Sequence, residues 1–212
     1  MSAYTEQEEL EKFKTWWKSY GNALILGVIL GAGLLFGNKY WQQYQERRIV
    51  EAATLYDELR QHYQGNRPEP ARAAGTRLLD EYASTPYAAM AALMLARHGV
   101  VSGDGAAARK HLQWVLDHAA DTPLAHAARL RLARLLAGEG KHEAALAQLD
   151  VKEMSGFEAE YLEARGDVLT ALGRAGEARA AYSAALKAAE NRTPYRQTLG
   201  MKLDDLGQEA TP

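Results

Sequence analysis

The 212-residue sequence contains no cysteine, which removes disulfides, thiolate nucleophiles and every cysteine-based zinc or iron–sulfur site while leaving the redox compartment open. Nor is one sign of charge in surplus. Lys and Arg number 25 against 27 Asp and Glu, for a formal net charge of −2, so no bulk field draws the chain to nucleic acid. A disordered composition is also missing. With 47% hydrophobic and 25% charged residues the chain reads as globular, and its length permits one or two domains.

The mean hydropathy of −0.37 hides one long apolar run. From Ser19 to Asn38 no residue is charged, and Ala23 to Gly37 reads ALILGVILGAGLLFG. Twenty helical residues reach about 30 Å, the thickness of a bilayer's hydrocarbon core. Trp16, Trp17 and Tyr20 precede the run and Tyr40, Trp41 and Tyr44 follow it, with Lys18 and Lys39 at its edges, as amphipathic side chains do at headgroup level. The pattern predicts a transmembrane helix over 19–41, in contact with the lipid bilayer, preceded by an amphipathic tail at 1–18. A buried core helix is the alternative, and the double aromatic belt argues against it. A cleaved signal peptide is the other. Glu6, Glu8, Glu9 and Glu11 in the n-region, and the direct run into KYWQQYQERR, point instead to an uncleaved signal anchor.

Orientation does not follow from charge, because Lys12, Lys14 and Lys18 before the span are balanced by Lys39, Arg47 and Arg48 after it. Within the span, Gly27 and Gly31, and again Gly33 and Gly37, are four residues apart. Each pair lies on one helix surface where a partner's helix could pack closely, although glycine in such helices is often merely permitted.

No strand pattern follows the span. Residues 39–64 keep helical periodicity until Gly65, Pro68 and Pro70, and a second helix is expected over 71–82. Leu93-Met94-Leu95-Ala96-Arg97 then recurs 37 residues later as Leu130-Arg131-Leu132-Ala133-Arg134. Ala133, Leu136, Gly140, Ala145 and Leu149 are followed, 33 residues on, by Gly166, Leu169, Gly173, Ala178 and Tyr182, with Ala185 closing the unit. A small residue lets two antiparallel helices cross closely, a glycine turns the chain, and a second small residue faces the first. This is the tetratricopeptide arrangement. The expected fold class is all-α, a single N-terminal transmembrane helix followed by a tetratricopeptide-like helix-pair solenoid over 42–206. Its repeats are degenerate, with Gly99 where a bulky residue is usual. A terminal helix over 194–206, with Lys202, Asp204 and Asp205 outward, should cap the stack, and 207–212 should form a loose tail.

Catalytic patterns are lacking. There is no G-x-S-x-G elbow, and His142-Glu143 is followed by Leu146 where a zinc-protease motif needs a second histidine. His111 and His118 share a helix face without a third ligand, and His62, His98 and His126 read as packing or solvent-facing residues. Gly103-Asp104-Gly105 and Gly173-x-x-Gly176 are turns that lack a preceding strand and a phosphate-loop lysine. Asp204-Asp205 and Asp80-Glu81 diverge by about 100° on a helix. Arg129, Arg131 and Arg134 lack interleaved aromatics for stacking bases. The reading is no enzyme, no cofactor, no metal and no nucleic acid. What remains is a face of stacked helices that binds polypeptide.

The order of Tyr4, an acidic amphipathic helix, Gly21-Asn22-Ala23-Leu24, Gly27-Val28-Ile29-Leu30-Gly31 and Tyr40-Trp41 resembles the YfgM family of Gram-negative inner-membrane proteins. Thr193-Pro194 and Met201-Lys202-Leu203-Asp204-Asp205-Leu206 resemble that family's closing helix, so the similarity covers nearly the whole chain. The resemblance implies a cytoplasmic N-terminus, a periplasmic repeat domain and a role as ancillary subunit of the SecYEG translocon. It further implies association with the membrane-anchored periplasmic chaperone PpiD, hand-over of unfolded or translocating proteins to periplasmic chaperones, and a weaker link to a stress response. The alternative from another class is a membrane-tethered, cytoplasm-facing adaptor that regulates a signalling protein.

Overall fold

The computed structural model describes residues 3–207 except 120, 121 and 191; the side chains of 3–8, 22–25, 28, 29, 32 and 35 are outside the described residues. Nine helices follow one another among the described residues: α1 (Ala3–Gln64), α2 (Pro68–Glu81), α3 (Pro86–Val101), α4 (Gly105–His118), α5 (Pro123–Gly138), α6 (His142–Leu149), α7 (Glu158–Ala171), α8 (Ala175–Ala188) and α9 (Thr193–Asp205). The chain divides into two compact units, Met1–Glu51 and Ala52–Pro212.

The stretch expected to span a membrane is helical throughout and belongs to α1, as do residues 39–64. Among the described residues no helix is long and apolar enough to cross a membrane; part of the expected span lies outside the described side chains. Trp16, Trp17, Tyr20, Tyr40 and Trp41 are all exposed. The first three form a ladder with Phe13, successive ring centroids lying 6.1–6.4 Å apart. A Cβ built on Gly27, Gly31, Gly33 or Gly37 meets no atom of the described residues within 4 Å, whereas one on Gly21 lies 3.1 Å from the Trp17 indole.

In the second unit, proline opens helices rather than ending them. Pro68, Pro86, Pro123 and Pro194 occupy the first turns of α2, α3, α5 and α9, where a missing N–H costs nothing. The second helix therefore begins at Pro68, not at residue 71. Thr85 and Thr122 close the linkers before α3 and α5 by donating Oγ1 to the Tyr82 and Ala119 carbonyls, at 2.8 and 2.7 Å. Within each pair the turn glycine is left-handed: φ is 78° at Gly103, 74° at Gly140 and 71° at Gly173, a region that penalises any Cβ. Gly176 is instead the second residue of α8.

The helices pair as α3–α4, α5–α6 and α7–α8, and each second helix packs on the first helix of the next pair. Ala96, Ala133, Gly166, Ala145, Ala178 and Tyr182 are buried. Ala108 is the fully buried counterpart of Ala145 in the first pair. There a Cβ on Gly99 would stand 2.9 Å from the Ala108 nitrogen, so the glycine lets α3 and α4 approach where a bulky side chain is usual. In the third pair the atoms nearest a Cβ on Gly166 belong to Tyr182, one turn beyond Ala178.

Candidate protein-binding face

The first helices of successive pairs also touch one another, α3 on α5 and α5 on α7, so their exposed side chains share a face. The C-terminal end of α1 joins that face. The Tyr56 ring lies tilted against Tyr87 and the Tyr63 ring tilted against His98, with centroids 5.8 and 4.8 Å apart. Between α1 and α3 a cleft of about 380 Å³ is lined by Arg60, Tyr63, Gln64, Met94, Arg97, His98 and Val101. A second groove of about 890 Å³ opens between the ends of α3 and α5, where Val100, Arg134 and Leu135 contribute.

At the other end of the stack, Glu160, Glu163 and Asp167 of α7 point toward α9. Arg192 donates to Glu160 at 2.5 Å, and the Tyr195 hydroxyl to Glu163 at 2.8 Å. Lys202 donates to Glu163 at 2.8 Å and to Asp167 at 2.6 Å, while the Tyr182 hydroxyl donates to Asp167 at 2.8 Å. Glu163 is only 8% exposed. Lys202 thus turns inward, contrary to the outward placement expected of a capping helix, because two α7 carboxylates lie within reach of its ammonium; Asp204 and Asp205 are exposed. Burial works against the Lys202 ammonium, but the hydrogen bonds to Asp167 and Glu163 and their charges outweigh it and raise its pKa. Burial, the largest single influence, opposes ionisation of Glu160, but the Arg192 hydrogen bond, a backbone hydrogen bond and the charges of Arg192 and Arg134 together outweigh it and lower its pKa. The Tyr195 phenol is pushed up by burial first and by its bond to Glu163 second. Every carboxylate of the cluster is held by a cation or a phenol, which makes it a helix clasp rather than an acid–base pair.

Histidines mostly pack. His126 stacks on Phe157 with centroids 5.2 Å apart and meets the Tyr161 hydroxyl at 3.1 Å. His118 lies flat on Trp114 at 4.1 Å and pairs its Nδ1 with the Trp114 carbonyl, so it does not join His111 in a metal site. His62, His111 and His142 each bury Nδ1 without a hydrogen-bond partner among the described residues. No group of three or more His, Asp or Glu able to hold a metal occurs among the described residues.

His111 yields a prediction. Desolvation first, then the charges of Lys110 and Arg72, lower its pKa against the smaller opposing pull of Asp104. The unfolded chain therefore takes up a proton near pH 6.5 before the folded chain does. Stability should be fully present above that pH and fall as the medium is acidified toward the depressed folded value. In melts between pH 7.5 and 5.5, His111→Gln should show a shallower decline than the parent; identical slopes would refute the assignment.

The residues singled out for repeat packing all lie in the second unit, Ala96, Ala133 and Ala145 in one buried cluster and Ala178 and Tyr182 in another, and the aromatic flanks and glycines of the apolar run all lie on α1. The acidic clasp went unnoticed in the sequence, although Glu160, Glu163 and Asp167 recur at helical spacing.

A family model described as "Tetratricopeptide repeat-like domain" matches residues 14–208. The chain is 32% identical to the "Ancillary SecYEG translocon subunit" of Neisseria gonorrhoeae over 202 residues, which cover 95% of this chain and 97% of that protein. Proteins of the same description from Haemophilus influenzae and Escherichia coli are 30% and 31% identical, again over 95% of this chain and over 97% and 96% of theirs. The chain thus belongs to the tetratricopeptide repeat-like family that includes these ancillary SecYEG translocon subunits.

Proposed function

We propose that this protein is an ancillary subunit of a SecYEG-type translocon. Residues 19–41 anchor it in the inner membrane, 1–18 form a cytoplasmic tail, 42–206 form a periplasmic polypeptide-binding stack, and 207–212 are a flexible tail. The observation that carries the reading is similarity to proteins of that description along 95% of the chain, apolar run included. The uncharged stretch from Ser19 to Asn38 between two aromatic flanks supports the anchor. The open surfaces at Gly27, Gly31, Gly33 and Gly37 leave room for a translocon helix. The anchor concentrates the stack beside the channel, so weak contacts with emerging chains become effective. In this reading the stack passes translocated proteins to periplasmic chaperones, a PpiD-like anchored chaperone among its partners.

Alkaline phosphatase fused after Leu206, compared with a cytoplasm-active reporter at the same place, tests the topology. Phosphatase activity is expected, together with co-purification of SecY. Activity of the cytoplasmic reporter alone would reject the translocon reading in favour of a cytoplasm-facing adaptor.

A further inference from the structure

The 37-residue offset that relates α3 to α5 also relates three arginines. Arg97 lies 37 residues before Arg134, and Arg60 lies 37 residues before Arg97. At this offset they fall on α1, α3 and α5. Asp167, 33 residues after Arg134, ends the row and is taken by Lys202. Arg60 and Arg97 line the same cleft, and Arg134 lines the adjoining groove.

These guanidinium groups are weakly engaged. Arg97 is exposed and pairs with no carboxylate among the described residues. Arg60 meets Asp57 at 3.1 Å, with both side chains about half exposed or more, a contact that solvent largely screens. Arg134 reaches Glu163 only at 3.9 Å, where Lys202 and Tyr195 are already closer. Apolar surface accompanies the row: Val101, 78% exposed, lines the cleft with Met94, and Val100, 53% exposed, lines the second groove.

We propose that the row Arg60–Arg97–Arg134 binds an extended acidic and apolar segment of a partner polypeptide, its carboxylates on the arginines and its apolar side chains on Met94, Val100 and Val101. Packed helices stand about 8–10 Å apart and an extended chain advances about 3.3 Å per residue, so an acidic residue at about every third position matches the row. The cleft lies at the C-terminal ends of α1 and α3, whose partial charges of about −0.5 each are smaller than the full charges of the two arginines. This inference rests on the polypeptide-binding reading above and names the chemistry of what is bound.

The test uses the full-length protein in detergent micelles and a fluorescein-labelled, amidated peptide of four Glu-Leu-Ser units, with a Lys-Leu-Ser peptide as its counterpart. Anisotropy should show binding of the Glu peptide alone, weakening as salt rises. Arg97→Glu should weaken it about tenfold or more, while Arg77→Gln, on α2 and outside the row, should leave it unchanged. Circular dichroism of each variant guards against loss of fold. Equal binding of the two peptides, no binding of either, or undiminished affinity in Arg97→Glu overturns the proposal whatever the topology reporters show. A thymidine twelve-mer that displaces the peptide at equal concentration assigns the row to phosphates and also overturns it. Selective Glu-peptide binding alongside a cytoplasmic reporter leaves the row standing and rejects only the translocon reading.

Discussion

Gly166→Ala is expected to lower the thermal midpoint by several degrees, although alanine exceeds glycine in helix propensity by about 1 kcal/mol. An added Cβ would lie 2.5 Å from Tyr182 Cε1 and 2.6 Å from Cδ1. The ring has little freedom to yield, because Tyr182 is 3% exposed and its hydroxyl is tied to Asp167 at 2.8 Å and meets Thr170 Oγ1 at 3.4 Å. Overpacking of this kind costs about 1–3 kcal/mol, and each kcal/mol moves the midpoint of a domain this size by about 2–4 °C. Gly200→Ala is the internal comparison, since a Cβ there meets nothing within 4 Å and propensity alone should leave it neutral or stabilising. The double variant Gly166→Ala/Tyr182→Leu should lose less than the sum of its parts, because the second change removes the atoms the first one strikes. A midpoint that rises in Gly166→Ala as it does in Gly200→Ala would show that the ring moves aside freely.

The contrast between those two glycines marks how far the sequence could be read. Recurrence located the pairs, because a small residue, a turn glycine and a second small residue repeat at fixed offsets and each has a steric reason. Left-handed φ at Gly103, Gly140 and Gly173 is the feature that recurrence detects. Recurrence does not say which atom a small residue faces, and for Gly166 that atom belongs to Tyr182. Pro68 opens α2 three residues before the start that the sequence suggests, since proline is excluded from a helix interior yet suits a first turn, and composition alone does not distinguish the two. The acidic clasp escaped notice for a different reason. Its members come from α7, α8 and α9, separated by 15 to 39 residues, and the helical spacing of the three acidic residues on α7 does not show which cations and phenols meet them in the folded chain. The arginine row was within reach, because the 37-residue comparison that aligned Ala96 with Ala133 also aligns Arg97 with Arg134 and, one step back, Arg60.

Removing Lys202 should have the larger effect on the C-terminal end of the stack. Leu199 is the one fully buried side chain that α9 contributes among the described residues, with Tyr195 and Leu203 partly buried beside it, so the polar contacts with α7 add to a small apolar seat on the C-terminal cluster. Lys202→Met leaves Glu163, 8% exposed, and Asp167 without their shared cation. Breaking a buried pair costs about 3–5 kcal/mol; with the Lys202 side chain 29% and the Asp167 side chain 39% exposed, solvent screening reduces the expectation to about 2 kcal/mol. Limited trypsin digestion should then cut at Arg192 and Arg196 faster than in the parent, while Arg174→Met, which breaks the exposed pair with Glu177, should change little. Lys202→Met/Glu163→Gln should recover part of the loss, since the orphaned charge is gone. The pH response has a definite sign. Because the folded Lys202 pKa is raised, its contribution is complete below the unfolded lysine value of about 10.4 and is lost as pH climbs through the higher folded value. Lys202→Met should flatten that alkaline limb, and an unchanged limb together with unchanged proteolysis would mean that α9 is held by Leu199 and Tyr195 without the lysine.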